Sequence, residues 1–356
     1  MDKLKRIGVQ PLTEFLENLY SAAGLSQSDA EFSSTCMVKT NLWGVDSHGV
    51  LRAPVYINRI RDSVVNPSPN YHTTAGGSQF AIEVVDGDAG LGYVTGRDGM
   101  QRAIEKAHKF GTGTVLVRNS NHFGAAALFA RMAAEQGLIG IACTNVIPNI
   151  GMKGNKKPAI GNNPVAMAAP LFEEYPFCLD ISMSSVAGGK LLLAAKKGEK
   201  IPKDWAVTSD GYETDDPKEG FDGFLLPFGL HKGFGLALFV DIITGVLSGG
   251  SFNRDLKSMY KHPKDTSETT HCFHAIQPEI LMPRAEFDSR MRSWAGSIHA
   301  TPMVEEGARQ LIPGELEYKT EIQRRAEGIP LPEDLLTDLR KLAIELNVGF
   351  ILEEQK

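Results

Sequence analysis

Asp46-Ser-His-Gly-Val-Leu-Arg52 crowds an acid, a hydroxyl, an imidazole and a guanidinium into seven residues, and Tyr56 follows four positions later. On a helix, positions 48, 52 and 56 share one face. An imidazole that moves a proton (His48), a guanidinium fork that grips a carboxylate (Arg52) and a phenol beside them (Tyr56) are the groups needed to handle a small 2-oxo or 2-hydroxy acid. The plainer alternative is a solvated helix face, with Asp46 or Ser47 capping the helix that follows. A second imidazole, His122, lies in Asn119-Ser-Asn-His-Phe-Gly124, between a predicted strand and a predicted helix. Loops there commonly carry sites in α/β proteins, and a helix N-terminus disfavours the imidazolium, leaving the ring neutral. A structural histidine satisfied by backbone is the alternative.

Three further breaks beside apolar segments carry polar groups or glycine: Gly161-Asn-Asn-Pro164, Leu179-Asp-Ile-Ser-Met-Ser-Ser185 and Gly229-Leu-His-Lys-Gly-Phe-Gly235. Asp180 ends a predicted buried strand, where a carboxylate is costly unless partnered; orienting an imidazole would partner it. Lys232 precedes a long apolar helix, so its ammonium and the first helical amides would cradle a phosphate. The glycine-rich stretch from Asp86 to Gly96 stands where a dinucleotide fingerprint belongs, but its spacing is G-x-G-x-x-x-G and residues 115–119, about 20 further on, carry no acid to hold a ribose. It reads as a turn feeding a helix, and any dinucleotide is then held without a Rossmann fold.

Other chemistries lack their motifs. There is no G-x-S-x-G elbow, no G-x-x-x-x-G-K-[ST] loop and no H-E-x-x-H. His271 and His274 stand at odd spacing in a predicted strand, so they face opposite sides, and no carboxylate cluster joins them; no metal is expected. Cys36, Cys143, Cys178 and Cys272 are scattered without a C-x-x-C pair and read as reduced, buried thiols. A net charge of −6 argues against nucleic acid or an anionic membrane surface as partner. The longest apolar run, 236–247, contains Asp241 and is too short to span a bilayer. No apolar secretory segment follows the first charges, so a cytoplasmic protein is expected.

The elements that must position these groups follow from periodicity. Leu12, Phe15, Leu16, Leu19, Tyr20 and Ala23 trace an amphipathic stripe that Gly24 ends. Ser26 to Asp29 resembles a capping box opening a helix to about residue 43, and a third helix is expected after Gly49. Beyond a boundary near residues 65–75 strands and helices alternate: strand 80–85, helix 95–109, strand 114–117, helix 124–135, strand 138–143, and short strands near Val165 and Phe177. Helices are predicted over 233–247, 283–294, 315–327 and 332–347. The class is α/β, with both chain ends joining in one helical unit.

Taken in order, 46–52, 119–124, 161–164, 180–182, the stretch from Ile201-Pro-Lys-Asp-Trp-Ala206 to Asp215-Asp-Pro217, 231–235 and Ile312-Pro-Gly-Glu315 resemble the malate/L-lactate dehydrogenase family over nearly the whole chain. Members include sulfolactate and ureidoglycolate dehydrogenases, diketogulonate reductase and piperideine-2-carboxylate reductase. The resemblance implies a non-Rossmann, sulfolactate dehydrogenase-like fold with a mixed or largely antiparallel sheet. It also implies a helical domain from residues 1–70 and 310–356, and a nicotinamide-binding domain from 71–309. It implies a homodimer that moves a hydride between NAD, with NADP open, and a small 2-hydroxy or 2-oxo acid such as malate or lactate. By the same resemblance His48 or His122 is the proton donor and acceptor, with Asp180 in support, and Ser47, Arg52 and Tyr56 hold the substrate. Asp180, Ile181, Ser182, Lys232, Pro313, Gly314 and Glu315 would meet the cofactor. Asn162 and the 182–185 run depart from many relatives, which bears on NAD versus NADP and on the substrate. Reduction of a cyclic imino acid and non-catalytic binding of a small acid are the alternatives. The two histidines together with Arg52 and Lys232 speak against a degenerate site.

Overall fold

The structure, a computed structural model, describes residues 4–353; the outermost residues of the expected helical unit, 1–3 and 354–356, lie outside them. Strand β1 (Leu4–Ile7) leads into α1 (Val9–Ala22), which carries the predicted stripe inward, and α2 (Gln27–Leu42) starts where Ser26 Oγ accepts the Asp29 amide at 3.2 Å. The third helix begins later than expected. Two 3-10 turns, Asp46–His48 and Val50–Arg52, precede α3 (Ala53–Arg61). Gly49, at φ −91° and ψ −141°, separates them, so His48 and Arg52 do not lie on one continuous helix.

The remaining elements follow in order. They are β2 (His72–Gly76), β3 (Ile82–Asp86), α4 (Gly92–Phe110), β4 (Thr112–Ser120), α5 (Ala127–Glu135), β5 (Ile139–Thr144), β6 (Val165–Ala169) and β7 (Phe177–Ile181), then α6 (Gly188–Lys197), β8 (Ala206–Val207), α7 (Pro217–Asp222), β9 (Phe224–Leu225) and α8 (His231–Asp241). After these come β10 (Thr269–Ile276), α9 (Arg284–His299), α10 (Glu315–Glu327), β11 (Ile329–Pro332) and α11 (Glu333–Glu345). The sequence predicts one apolar helix over 233–247. Helical backbone does run unbroken over 231–248, with α8 continued by a π-turn, Ile242–Val246, and one further α-helical step. Gly245 lies so close to Phe252 and the Ser251 carbonyl that a Cβ would meet both at 2.7 Å.

Seven strands form the main sheet in the order β2-β3-β4-β10-β5-β6-β7. Only β3 and β4 run parallel, joined through α4; the other five pairings are antiparallel. This is the mixed, largely antiparallel sheet expected. Strand β10 enters late in sequence and sits in the middle, paired with β4 on one side and β5 on the other. Its residues alternate between two layers. Phe273 and Ala275 join Val115, Val117 and Ala142 under α4 and α5, whereas Cys272 joins Leu116 and Cys143 beneath α8 and the π-turn. His271 and His274 therefore face opposite sides, and among the described residues no group of three or more potential ligands gathers to hold a metal. The four cysteines are free and buried. No helix among the described residues is long and apolar enough to cross a membrane.

The glycines of 87–96 serve packing. A Cβ on Gly92 would come within 2.2 Å of the His122 carbonyl, and one on Gly96 within 2.4 Å of the Phe129 ring. The turn therefore seats α4 hard against the loop that carries His122. Phe273 is the aromatic hub beneath it, 5.4 Å from Phe129 and 6.2 Å from Phe123 between ring centroids. Truncating that enclosed ring leaves a cavity, so Phe273→Ala should cost about 3–5 kcal/mol in urea unfolding. A loss below about 1 kcal/mol would show that the layer re-closes without it.

Candidate active site

The 46–52 turn is built by a clamp from both ends of the chain. Arg324, on α10, donates from Nη1 to Asp46 Oδ1 at 2.5 Å and from Nη2 to Oδ2 at 3.0 Å, and Nη1 also reaches the Asn41 carbonyl. Asn41 Nδ2 donates to the same carboxylate at 2.6 Å, while its Oδ1 accepts the Val50 amide at 2.7 Å. The Asn41 side chain so fills the space that a Cβ on Gly49 would lie 2.0 Å from Oδ1. Asp46 is thus an anchor rather than a helix cap. From this anchored turn Ser47 Oγ meets His48 Nδ1 at 2.9 Å, and the Ser47 carbonyl accepts Arg52 Nε at 2.7 Å. The outer Arg52 nitrogens have no hydrogen-bond or ion-pair partner among the described residues.

His122 comes from the other direction, two residues past β4, and its ring stacks on His48 with centroids 5.5 Å apart and planes 22° apart. Tyr56, on α3, bonds through its hydroxyl to His122 Nδ1 at 2.5 Å, and the Gly124 amide donates to the same nitrogen at 3.2 Å. An N–H can only donate, so Nδ1 is the acceptor and the neutral ring carries its proton on Nε2. Tyr93 packs edge-on against Tyr56 at 5.8 Å and donates to the His48 carbonyl at 3.3 Å. Gly124, at φ +76°, leaves room for that ring, since a Cβ there would touch it at 2.5 Å. The four residues at 48, 52, 56 and 122 are therefore brought together, by separate elements rather than one helix face.

Both imidazoles are held neutral. Burial lowers His48 to about 4, with the Arg52 charge adding to it. His122 lies well below its ordinary value because of burial, then His48, Arg52 and His271. The helix N-terminus predicted as the cause is not adjacent, since α5 starts only at Ala127. Burial also pushes the Tyr56 phenol up, so it stays protonated as a donor.

Asp180, at the end of β7, keeps solvent access, yet the protein around its carboxyl raises it to about 6, opposed by a 2.8 Å bond from the Ala127 amide. That amide is its partner where the sequence predicts an imidazole, so it does not orient either histidine. The segment after it meets two other motifs: the Met183 amide donates to the Asn162 carbonyl at 2.8 Å and the Phe228 amide to the Met183 carbonyl at 3.0 Å. Ser182 Oγ and Ser184 Oγ lie 3.0 Å apart. At the start of α8 the amides of Lys232, Gly233 and Phe234 already bond to Gly229, Phe228 and Leu230 carbonyls. The exposed Lys232 ammonium, which has no partner among the described residues, is what remains to meet an anion. The Pro313 carbonyl accepts the Cys178 amide at 3.0 Å, which sets the 313–315 turn beside β7. Glu315 is buried, with one carboxylate oxygen on His299 Nε2 and the other 2.7 Å from Arg309 Nη2, so its side chain is already engaged. Free ammonium, paired hydroxyls and a carboxyl form a donor set suited to a group with phosphates, ribose hydroxyls and a carboxamide.

Sequence reasoning missed Asn41, Tyr93 and Arg324, whose roles rest on contacts distant in sequence, and Arg59, which a helical period would have reached three residues after Tyr56. Arg59 is buried and donates to Asn121 Oδ1 at 3.2 Å, tying α3 to the His122 loop.

Two neutral, stacked imidazoles thus stand beside a guanidinium with open outer nitrogens, on a non-Rossmann α/β frame. The sequence model of malate/L-lactate dehydrogenases matches residues 7–340. The chain belongs to that family, and it is a hydroxy-acid dehydrogenase acting on CH–OH donors with a nicotinamide cofactor. It is 38% identical to the malate dehydrogenase of Pyrococcus abyssi, over 96% of this chain and 95% of that protein. The structure of sulfolactate dehydrogenase from Methanocaldococcus jannaschii superposes with a TM-score of 0.90 at 33% identity, covering 98% of both chains. That of malate dehydrogenase from Pyrococcus horikoshii gives 0.88 at 34% identity, covering 99% of both.

The buried imidazoles give a pH signature. Unfolded histidines take up protons near 6.5, whereas the enclosed His271 is lowered to about 3. Its contribution to stability is complete above pH 6.5 and is lost as pH falls, by about 2 kcal/mol between pH 7.5 and 5. Asp180 acts with the opposite sign over the same range, so the measurement is a comparison. In urea titrations at both pH values, the acid loss in His271→Asn should be about 2 kcal/mol smaller than in the wild type. Equal losses would mean that His271 titrates normally.

Proposed function

We propose that the cleft between the 46–56 segment and the 119–124 loop binds a small 2-hydroxy or 2-oxo acid. Malate and sulfolactate, the substrates in the names of the relatives, are the first candidates. The observation that carries this reading is the His48–His122 stack beside an Arg52 whose outer nitrogens make no hydrogen bond among the described residues. Arg52 takes the carboxylate in a fork, and a lysine there would lose that geometry. Ser47 and Tyr56 line the same place. With Nδ1 donating to the Ser47 hydroxyl, His48 has an unprotonated Nε2 able to take the proton from the C2 hydroxyl in oxidation. His122, with its proton on Nε2 and Nδ1 saturated by Tyr56 and Gly124, donates a hydrogen bond to that oxygen as its charge changes.

A bound nicotinamide cofactor supplies or takes up the hydride. Asp180, Ile181, Ser182, Lys232, Pro313 and Gly314 are the positions assigned to hold it, with Glu315 setting the turn. NAD is the first choice and NADP the second. The chain divides into a helical unit, 1–70 with 310–356, and a cofactor unit, 71–309. The β1–β11 pairing and the Arg324–Asp46 clamp support joining the two ends. The four free, buried cysteines support a reducing, cytoplasmic setting.

The test is loss of 340 nm absorbance with NADH and NADPH in separate wells across 2-oxo acids and cyclic imino acids. Turnover of a 2-oxo acid is expected, with kcat reduced roughly 100- to 10,000-fold in His48→Ala. His122→Ala should lose less if it only polarises. Silence toward 2-oxo acids with turnover of a cyclic imine would move the substrate assignment to imine reduction, and full turnover in His48→Ala would remove that residue as the acid–base group.

A homodimer fits the same reading. Leu236, Phe239, Ile242, Val246 and Leu247 form a continuous exposed stripe along α8 and the π-turn, with Phe239 58% exposed. Contiguous apolar patches of that kind mark interfaces. Light scattering should give twice the mass of one chain, and Phe239→Glu should shift it toward one; a wild-type monomer at micromolar concentration would refute the dimer.

A further inference from the structure

Arg59 has a second function in the architecture besides gripping Asn121. Its guanidinium, 3% exposed, also donates to the Pro263 carbonyl at 3.0 Å, the Asp265 carbonyl at 2.9 Å and Ser267 Oγ at 3.1 Å. A buried cation is costly unless its donors are met, and here the loop before β10 meets them. The loop is further tightened around Ser258, whose Oγ accepts the Tyr260 and Lys261 amides at 3.3 and 3.2 Å and whose carbonyl accepts the His262 amide at 2.8 Å. Met259 packs against the main core. Between these fixed points Tyr260 is 57% exposed, and its ring centroid lies 5.4 Å from the Arg52 guanidinium carbon.

We infer that Tyr260 is a positioning residue for Arg52, held by the Arg59-strapped loop 258–267, whose ring fixes the guanidinium so that its outer nitrogens stand ready for a substrate carboxylate. This rests on the reading of Arg52 as the carboxylate clamp. Among the described residues Arg52 has one other restraint, the Nε bond to the Ser47 carbonyl, which fixes one edge and leaves the plane free to swing. An aromatic face supplies the missing restraint without consuming an N–H, because the attraction is to the ring quadrupole. The outer donors therefore remain available for bidentate recognition, and less rotamer freedom is lost when the substrate arrives. The Tyr260 hydroxyl takes no part, so the ring alone should suffice.

The experiment compares steady-state kinetics of Tyr260→Leu, Tyr260→Phe, Arg52→Lys and the double variant Arg52→Lys/Tyr260→Leu on the best 2-oxo acid. Tyr260→Leu should raise KM roughly 3- to 30-fold with kcat changed less than about 3-fold, whereas Tyr260→Phe should stay within about 2-fold of wild type in both. On the Arg52→Lys background, Tyr260→Leu should add little, since the two act as one unit. An unchanged KM in Tyr260→Leu, a Phe variant as impaired as the Leu variant, or full additivity in the double variant would each overturn the positioning role. Wild-type protein inert toward every 2-oxo and 2-hydroxy acid, or a normal KM in Arg52→Lys, would instead overturn the carboxylate-clamp reading on which it rests.

Discussion

Asp46 is gripped by Arg324 from the C-terminal part of the chain and by Asn41 from the N-terminal part, and everything in the cleft hangs from that grip. The clamp converts a stretch with weak helical preference into two short turns separated by Gly49. It thereby sets where His48 and Arg52 emerge. The Arg324 side chain is largely enclosed while Asp46 stays half-exposed, so the contribution of the pair lies in its two-point geometry and in the Asn41 bond rather than in charge attraction alone. A site residue near position 50 thus depends on a helix that begins at Glu315, and the two chain ends must meet before the cleft exists. The β1–β11 ladder closes the same junction a second time.

What surrounds the imidazoles then decides their chemistry. Two histidines stacked 5.5 Å apart beside a guanidinium would repel if both were charged, and burial removes that option by keeping them neutral. The hydrogen bonds differentiate them: His122 receives two donors on Nδ1, whereas His48 has a single hydroxyl that can turn either way. The neighbours therefore fix the proton of His122 on Nε2 and leave that of His48 free to sit on either nitrogen. Below them, the planar contact of His271 with Phe123, 4.6 Å between centroids, ties the loop to the middle of the sheet. The rigid layer of β4, β10 and β5 therefore continues directly into the residues that meet substrate.

Much of the fold was legible because it is written in local period. The helix on α1, the strand and helix alternation through α5 and the tail helices α10 and α11 follow from apolar spacing over a dozen residues, and the cap at Ser26 from a hydroxyl three residues before Asp29, all of which tertiary contacts reinforce rather than contradict. Rejection of the glycine stretch as a dinucleotide loop also came from spacing, and the sheet with its single parallel pairing agrees with it. The errors lie where a residue's surroundings overrule its neighbours in sequence. Spacing puts positions 48, 52 and 56 on one helix face, yet the helix is broken at Gly49, where the Asn41 side chain leaves no room for a Cβ. Asp180 meets the Ala127 amide and no imidazole, because the fold and not the local sequence decides what reaches the end of β7.

The sequence by itself determined the types of group and their order: two imidazoles, a guanidinium, a phenol, a lysine before an apolar helix, and motifs whose succession marks a hydroxy-acid dehydrogenase. Such information is local, because it resides in residue identity and in spacings of a few positions. Tertiary structure decided which of these groups meet, which nitrogen carries the proton, and which side chains are already spent, as Glu315 is on His299 and Arg309. Those outcomes depend on contacts across hundreds of residues, such as Arg324 to Asp46 and Arg59 to the loop before β10. Burial and hydrogen-bond geometry exist only once the chain has closed on itself.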